Sequence, residues 1–140
     1  MEKSKRFFRS LALLVCIVLC LSCKNDEEAP IAYVNFTIDP NSPMYSNLNT
    51  VGGYEYLVGG YRGVVVFRYS WDEFLAYERA CPKDNETAVV VDSTSSVILQ
   101  CPKCGTKFIY TDGTPIDGPA KSALRSYSTH YDGNTLHVYN

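Results

Sequence analysis

Two short cysteine boxes constrain this chain more than any other feature. Cys81-Pro82-Lys83-Asp84 and Cys101-Pro102-Lys103-Cys104-Gly105-Thr106 are embedded in strand-forming sequence. The runs Thr87 to Val91 and Ser96 to Gln100 carry the chain from one box to the other. For the three thiols to act together, two loops distant in sequence must meet at one tip of a β-scaffold.

The rest of the sequence supports such a scaffold. From Ala32 to Ile38, Tyr33, Asn35 and Thr37 alternate with Val34, Phe36 and Ile38, the period of two expected of a half-buried strand. Pro40 and Pro43 end that run, and Asn47-Leu48-Asn49 reads as loop. Tyr54 to Val58 lies between the turn signals Gly52-Gly53 and Gly59-Gly60. Val64 to Tyr69 is an apolar β-branched run; Ser70-Trp71-Asp72 turns it into Glu73 to Arg79, which leads to Cys81. Thr106 to Tyr110 follows the second box and ends at the hairpin-type turn Asp112-Gly113. Ala123 to Tyr131, Asp132-Gly133-Asn134 and Thr135 to Tyr139 form a closing hairpin. No longer window carries a 3.6-residue apolar stripe, so the expected class is all-β. The eleven tyrosines suit cross-strand packing better than a carbohydrate-binding platform. Gly59-Gly60-Tyr61-Arg62-Gly63 has no helix after it and reads as a turn rather than a phosphate cradle.

The N-terminus carries a different signal. Lys3, Lys5, Arg6 and Arg9 precede the apolar run Leu11 to Leu21, whose length suits a signal-peptide core, whereas a spanning helix needs ~20 residues. The run closes on Cys20-Leu21-Ser22-Cys23, which resembles a bacterial lipobox and implies cleavage before Cys23 and lipidation of its sulfur. Ordinary secretion with cleavage near the same point is the plainer alternative. The expected organisation is a signal peptide over 1–22, a lipidated acidic tether over 23–30, too hydrophilic to pack, and one domain over 31–140. The location implied is the outer membrane, facing the periplasm or the cell surface, with the lipid anchor making the membrane a partner. Four of the 13 Lys and Arg and one of the 15 Asp and Glu lie in the signal peptide, so the remainder carries 9 − 14 = −5. No basic cluster survives, which argues against nucleic acid as a partner.

Six cysteines reduce to three. Cys16 and Cys20 lie in the signal peptide and Cys23 carries the lipid, leaving Cys81, Cys101 and Cys104 for the domain. An odd number in an oxidising compartment leaves either a metal holding all three or one disulfide and a free thiol.

From about Gly60 to Asn140 the chain resembles the Rieske-type 2Fe-2S ferredoxin domain, whose boxes read Cys-x-His and Cys-x-x-His. The resemblance rests on the strand–turn–strand Val64 to Tyr77 before the first box and the seventeen residues between Lys83 and Cys101. It extends through Gly105-Thr106 after the second box, the proline loop Gly118-Pro119-Ala120, and Leu124 and Tyr127 in the final strand. It implies antiparallel Rieske-like sheets with a two-loop cysteine-bearing tip, and a 2Fe-2S centre that carries electrons to a redox or envelope partner. By position, Cys81 and Cys101 would hold the inner iron and Cys104 the outer one. Both histidine positions are changed: Lys83 stands at that of the first box and Cys104 at that of the second, and an ammonium has no lone pair to give. Asp84, a water or a partner group would then supply a fourth ligand. Thr106 matches the serine that donates toward the cluster, Phe108 replaces a tyrosine donor, and the proline loop shields the centre. Three thiolates in place of a mixed set would lower the potential and remove histidine proton coupling.

Two alternatives stand beside the cluster. Cys101-Pro102-Lys103-Cys104-Gly105 also suits a zinc knuckle, with Cys81 supplying half of a second one. A metal-free domain with a Cys101–Cys104 or Cys81–Cys101 disulfide is the other, and Phe7-Phe8 between Arg6 and Arg9 breaks the twin-arginine pair that export of a folded, cluster-loaded protein would favour. In either case the chain would be a non-redox binding module. His130 and His137 belong to the closing hairpin, away from the tip. No nucleophile–base arrangement suggests hydrolysis, and there is no room for an oxygenase catalytic domain.

Overall fold

The computed structural model describes residues 27–140. The signal peptide, the lipobox and Cys23 lie outside the described residues.

The all-β expectation holds. β3 (Val64–Arg68) and β4 (Phe74–Glu78) are the centre of the fold, paired antiparallel from Val64↔Glu78 to Arg68↔Phe74. β3 has no exposed residue, so it lacks the alternation of a half-buried strand. Its two faces feed two cores. Val64 and Val66 pack with Leu136 and Val138 on one side; Val65 and Phe67 pack with Cys81, Leu99, Cys101 and Phe108 on the other. A continuous apolar run is what a strand covered on both faces requires.

Around this pair, β1 (Asn35–Ile38), β2 (Tyr54–Leu57), β11 (Ser126–Tyr131) and β12 (Leu136–Tyr139) complete a six-stranded sheet in the order β1-β12-β11-β4-β3-β2. A four-stranded sheet, β10-β9-β8-β7, is built from β7 (Val90–Asp92), β8 (Ser95–Gln100), β9 (Lys107–Ile109) and β10 (Pro115–Asp117). β5 (Ala80–Cys81) and β6 (Asp84–Ala88) make a two-stranded ribbon. All the pairings are antiparallel.

The structure differs from the sequence reading at definite places. The run expected over Thr87 to Val91 is two strands: Ala88 pairs with Ala80 and Val90 with Gln100, so the chain changes sheets at the buried Val89. Asn47-Leu48-Asn49 is not open loop but the end of a 3-10 turn, Pro43–Asn49, whose Leu48 is fully buried and whose Leu48 carbonyl accepts from Arg68 Nη1 at 2.8 Å. The first strand is shorter than Ala32 to Ile38 because the Asn140 side chain, not a neighbouring strand, holds Ala32 O and Val34 N. β10 was not anticipated; Pro115 opens it, and an edge position tolerates a residue without an N–H.

The stretch expected to be a solvated tether is docked from Glu27 onward. Glu27 accepts from Lys83 Nζ at 2.8 Å and from the Lys121 N–H at 2.9 Å, and Arg125 donates to the carbonyl of the buried Ala29 at 2.8 Å. A hydrophilic composition does not prevent packing where each carboxylate finds a fixed donor. Among the described residues no helix is long and apolar enough to cross a membrane.

Candidate metal centre

The two boxes meet. Cys81 ends β5 at the foot of the central hairpin, and Cys101 and Cys104 lie in the loop between β8 and β9. Their three sulfurs lie within 4.8 Å of one another, with Cys81 Sγ and Cys104 Sγ at 3.6 Å. Cys81 and Cys101 are fully buried, Cys104 half-buried, and all three are free thiols.

Local structure explains how each sulfur is aimed. The second box closes as a knuckle: Gly105 N–H donates to Cys101 O at 2.9 Å, and Cys101 N–H donates to Thr106 O at 2.9 Å. That turn places Gly105 at φ +76, a left-handed conformation glycine adopts without steric cost. The first box enters from β4 through Glu78, which has no solvent exposure. Its Oε1 accepts from Arg62 N–H at 2.8 Å and Ala80 N–H at 2.9 Å; its Oε2 accepts from Tyr61 N–H at 2.6 Å and Tyr127 O–H at 2.7 Å. This carboxylate staples the Gly59–Gly63 turn to the strand that ends in Cys81. Sequence reasoning passed over Glu78, and its only signal was an acidic residue at the end of an otherwise apolar strand.

The proline loop closes over the second box. Ala120 N–H donates to Thr106 Oγ1 at 3.1 Å, and the same hydroxyl pairs with Cys104 Sγ at 3.1 Å, donating to it when the sulfur is a thiolate. Gly118 packs on Thr106: a Cβ there would stand 2.8 Å from Oγ1 and closer still to Cα. Phe108 is fully buried behind the thiols.

The sulfurs are electrostatically unequal. Burial pushes the Cys81 thiol up to about 12, with the neighbouring Cys101 sulfur adding to the effect and the N–H groups of Asp84 and Lys83 opposing it. Burial also acts to raise Cys104. There, however, the Thr106 hydroxyl and N–H together with the Cys101 and Cys81 sulfurs outweigh it and hold the thiol below its usual value. Between these two, the more accessible Cys104 is the readier to ionise.

The other candidate residues are engaged elsewhere. Lys83 Nζ pairs with Glu27, whose hydrogen bond holds the ammonium above its usual range, so it keeps its proton and offers no lone pair. Asp84 accepts from Lys103 Nζ at 2.8 Å and from Thr87 Oγ1 at 2.7 Å, and it is not gathered with the sulfurs. His130 and His137 face each other across β11 and β12. The donor set is three sulfurs. It suits a thiophilic ion, and it falls one ligand short of the four that a 2Fe-2S cluster takes.

No protein-family model matches the chain, and no curated protein does. Among solved structures, it is similar to a chain of the complex of reduced oxygenase and oxidized ferredoxin in carbazole 1,9a-dioxygenase. That similarity has a TM-score of 0.47 and 21% identity, over 63% of this chain and 81% of the other.

Proposed function

We propose that this protein is a thiolate metal-binding module of the cell envelope, with Cys81, Cys101 and Cys104 as its ligands and Cys23 as its lipid anchor. One observation supports the ligand assignment above all: three sulfurs from two loops converge within 4.8 Å at the end of a β-scaffold. Two of them, Cys81 and Cys101, are fully buried. The anchor rests on the lipobox-like sequence before Cys23.

The site is tested by metal analysis and thiol counting on the same reductively purified sample. Bound metal that protects all three thiols from alkylation, and that is lost in the Cys101→Ser variant, is the expected result. Protein that binds no metal and shows an intramolecular disulfide by intact mass before and after reduction would replace this reading with a metal-free module. The anchor is tested separately: mass spectrometry of membrane-extracted protein should place a lipid on Cys23, and Cys23→Ser should release the protein from the membrane.

A second reading, a 2Fe-2S electron carrier, is favoured by the order of the two boxes on two β-loops. It needs a fourth ligand from water or a partner. Anaerobically purified protein would then be brown, and a colourless product after reconstitution with iron and sulfide would remove it.

A further inference from the structure

The spacing of the sulfurs bears on how many metal ions they can share. With metal–sulfur bonds of about 2.3 Å, two thiolates on one tetrahedral ion lie roughly 3.8 Å apart, and two on a trigonal ion roughly 4.0 Å apart. Cys81 Sγ and Cys104 Sγ are 3.6 Å apart, and no pair among the three exceeds 4.8 Å. The 3.6 Å edge is that of two ligands on a single ion, and the 4.8 Å limit keeps the third sulfur close enough to join them after a small adjustment.

A binuclear cluster asks for something else. In the ligand order implied by the boxes, Cys81 and Cys101 share one iron while Cys104 binds the other, with sulfide bridges between the two metals. Cys104 would then be held away from Cys81 by the width of the Fe2S2 core. Instead, the two sulfurs are in contact across the loops. The fourth terminal ligand is absent from the same place, since Lys83 is paired with Glu27 and Asp84 with Lys103 and Thr87.

We propose that Cys81, Cys101 and Cys104 bind one thiophilic d10 cation, of the Zn(II), Cd(II) or Cu(I) type, through three sulfurs, with any fourth position left on the Cys104 side. This rests on the metal-site reading above and specifies its nuclearity and ion class. Soft thiolate sets select such ions, and a three-ligand site with an open position is how zinc is held where a further ligand must enter. Cys104 is the half-buried member of the triad, so ions enter past it. Thr106, donating to that sulfur, orients it without occupying the metal's coordination sphere.

The test uses the membrane-extracted protein processed and lipidated at Cys23, in which Cys81, Cys101 and Cys104 are the remaining thiols, purified in detergent under reductant and stripped of metal, with Cd(II) as the probe. A titration followed by sulfur-to-cadmium charge transfer should saturate at one ion per chain with the intensity of three thiolates, and Zn(II) should compete for the same site. Iron and sulfide offered under reconstituting conditions should leave no stable cluster. Cys104→Ser, at the loop position where folding is least at risk, should weaken Cd(II) binding by more than the ~10–100-fold that outer-shell changes cost. Asp84→Ala and Lys83→Ala should leave affinity and charge-transfer intensity unchanged. Two irons and two sulfides per chain, with visible absorption, would overturn the single-ion proposal while leaving the metal site standing. Loss of binding in Asp84→Ala would overturn the three-sulfur ligand set. Failure to bind either ion class, with all three thiols freely alkylated in folded protein, would remove the metal site itself and the proposal with it.

Discussion

Replacing Glu78 by Gln removes a charge with almost no change of shape, so its cost can be worked out from the hydrogen bonds it disturbs. The carboxylate has no solvent exposure and accepts four hydrogen bonds, two on each oxygen. An amide supplies only one acceptor oxygen. If its NH2 faced Arg62 N–H and Ala80 N–H, two donors would be orphaned, the second of them buried. If it faces Tyr61 N–H and Tyr127 O–H, the tyrosine hydroxyl can rotate to accept from it, and only the Tyr61 N–H is orphaned. The second orientation is therefore preferred. An orphaned donor costs about 1–3 kcal/mol, toward the lower end for the part-buried Tyr61 N–H, and loss of charge assistance weakens each of the three remaining bonds by about 1 kcal/mol. The expected loss is about 4–6 kcal/mol, a large share of the ~5–15 kcal/mol that holds a typical domain together. Urea unfolding of wild type and Glu78→Gln should show this as a lower midpoint with an unchanged slope. Tyr127→Phe should cost about 1.5–3 kcal/mol alone but less when combined with Glu78→Gln, because its bond is then to a neutral partner. A loss below about 1 kcal/mol for Glu78→Gln, or strict additivity with Tyr127→Phe, would refute the four-bond account.

Three further outcomes are expected at and around the site. Thr106→Val orphans the buried Ala120 N–H at a cost of about 1–3 kcal/mol and should raise the pH at which Cys104 is alkylated, since it removes the hydroxyl at 3.1 Å from that sulfur; an unchanged alkylation profile would show that the hydroxyl does not donate to it. Gly118→Ala must hold an L-residue at φ +99 and drive its Cβ into Thr106, so it should destabilise the fold by roughly 1–3 kcal/mol and weaken metal binding, read together by thermal melting and cadmium titration. Cys81 keeps its proton in the fold up to about 12, above the unfolded value of about 8.5. Its contribution to apoprotein stability is thus fully present below the unfolded value and is lost as pH rises through about 12. Tyr77, raised to about 12 by burial, acts only in the upper part of that window, above about 10, so comparing alkaline unfolding of wild type and Cys81→Ser isolates the thiol; identical profiles would contradict the assignment.

Much of the scaffold was legible in the residues themselves. Period-two alternation, β-branched runs and glycine or proline punctuation mark β1 to β4, β8, β9, β11 and β12, because those signals are local: a strand's face and a turn's φ depend on residues a few positions apart. The boxes at Cys81 and Cys101–Cys104 were equally plain. The break at Val89 was not, because only the registers Ala88↔Ala80 and Val90↔Gln100 reveal that one apolar run serves two sheets.

What tertiary structure alone decided is the identity of each side chain's partner. In sequence, Asp84 is a neighbour of Lys83 and an apparent ligand; folded, it belongs to Lys103 and Thr87. Glu27 looks like part of a free tether, yet it meets Lys83 from 56 residues away. Glu78 carries no motif, and its four donors come from three separate segments. In an antiparallel fold these contacts depend on which strands pair and in what register, a long-range outcome of burying both faces of β3. The sequence by itself determined that the thiols sit on β-loops. How closely their sulfurs approach was decided by packing.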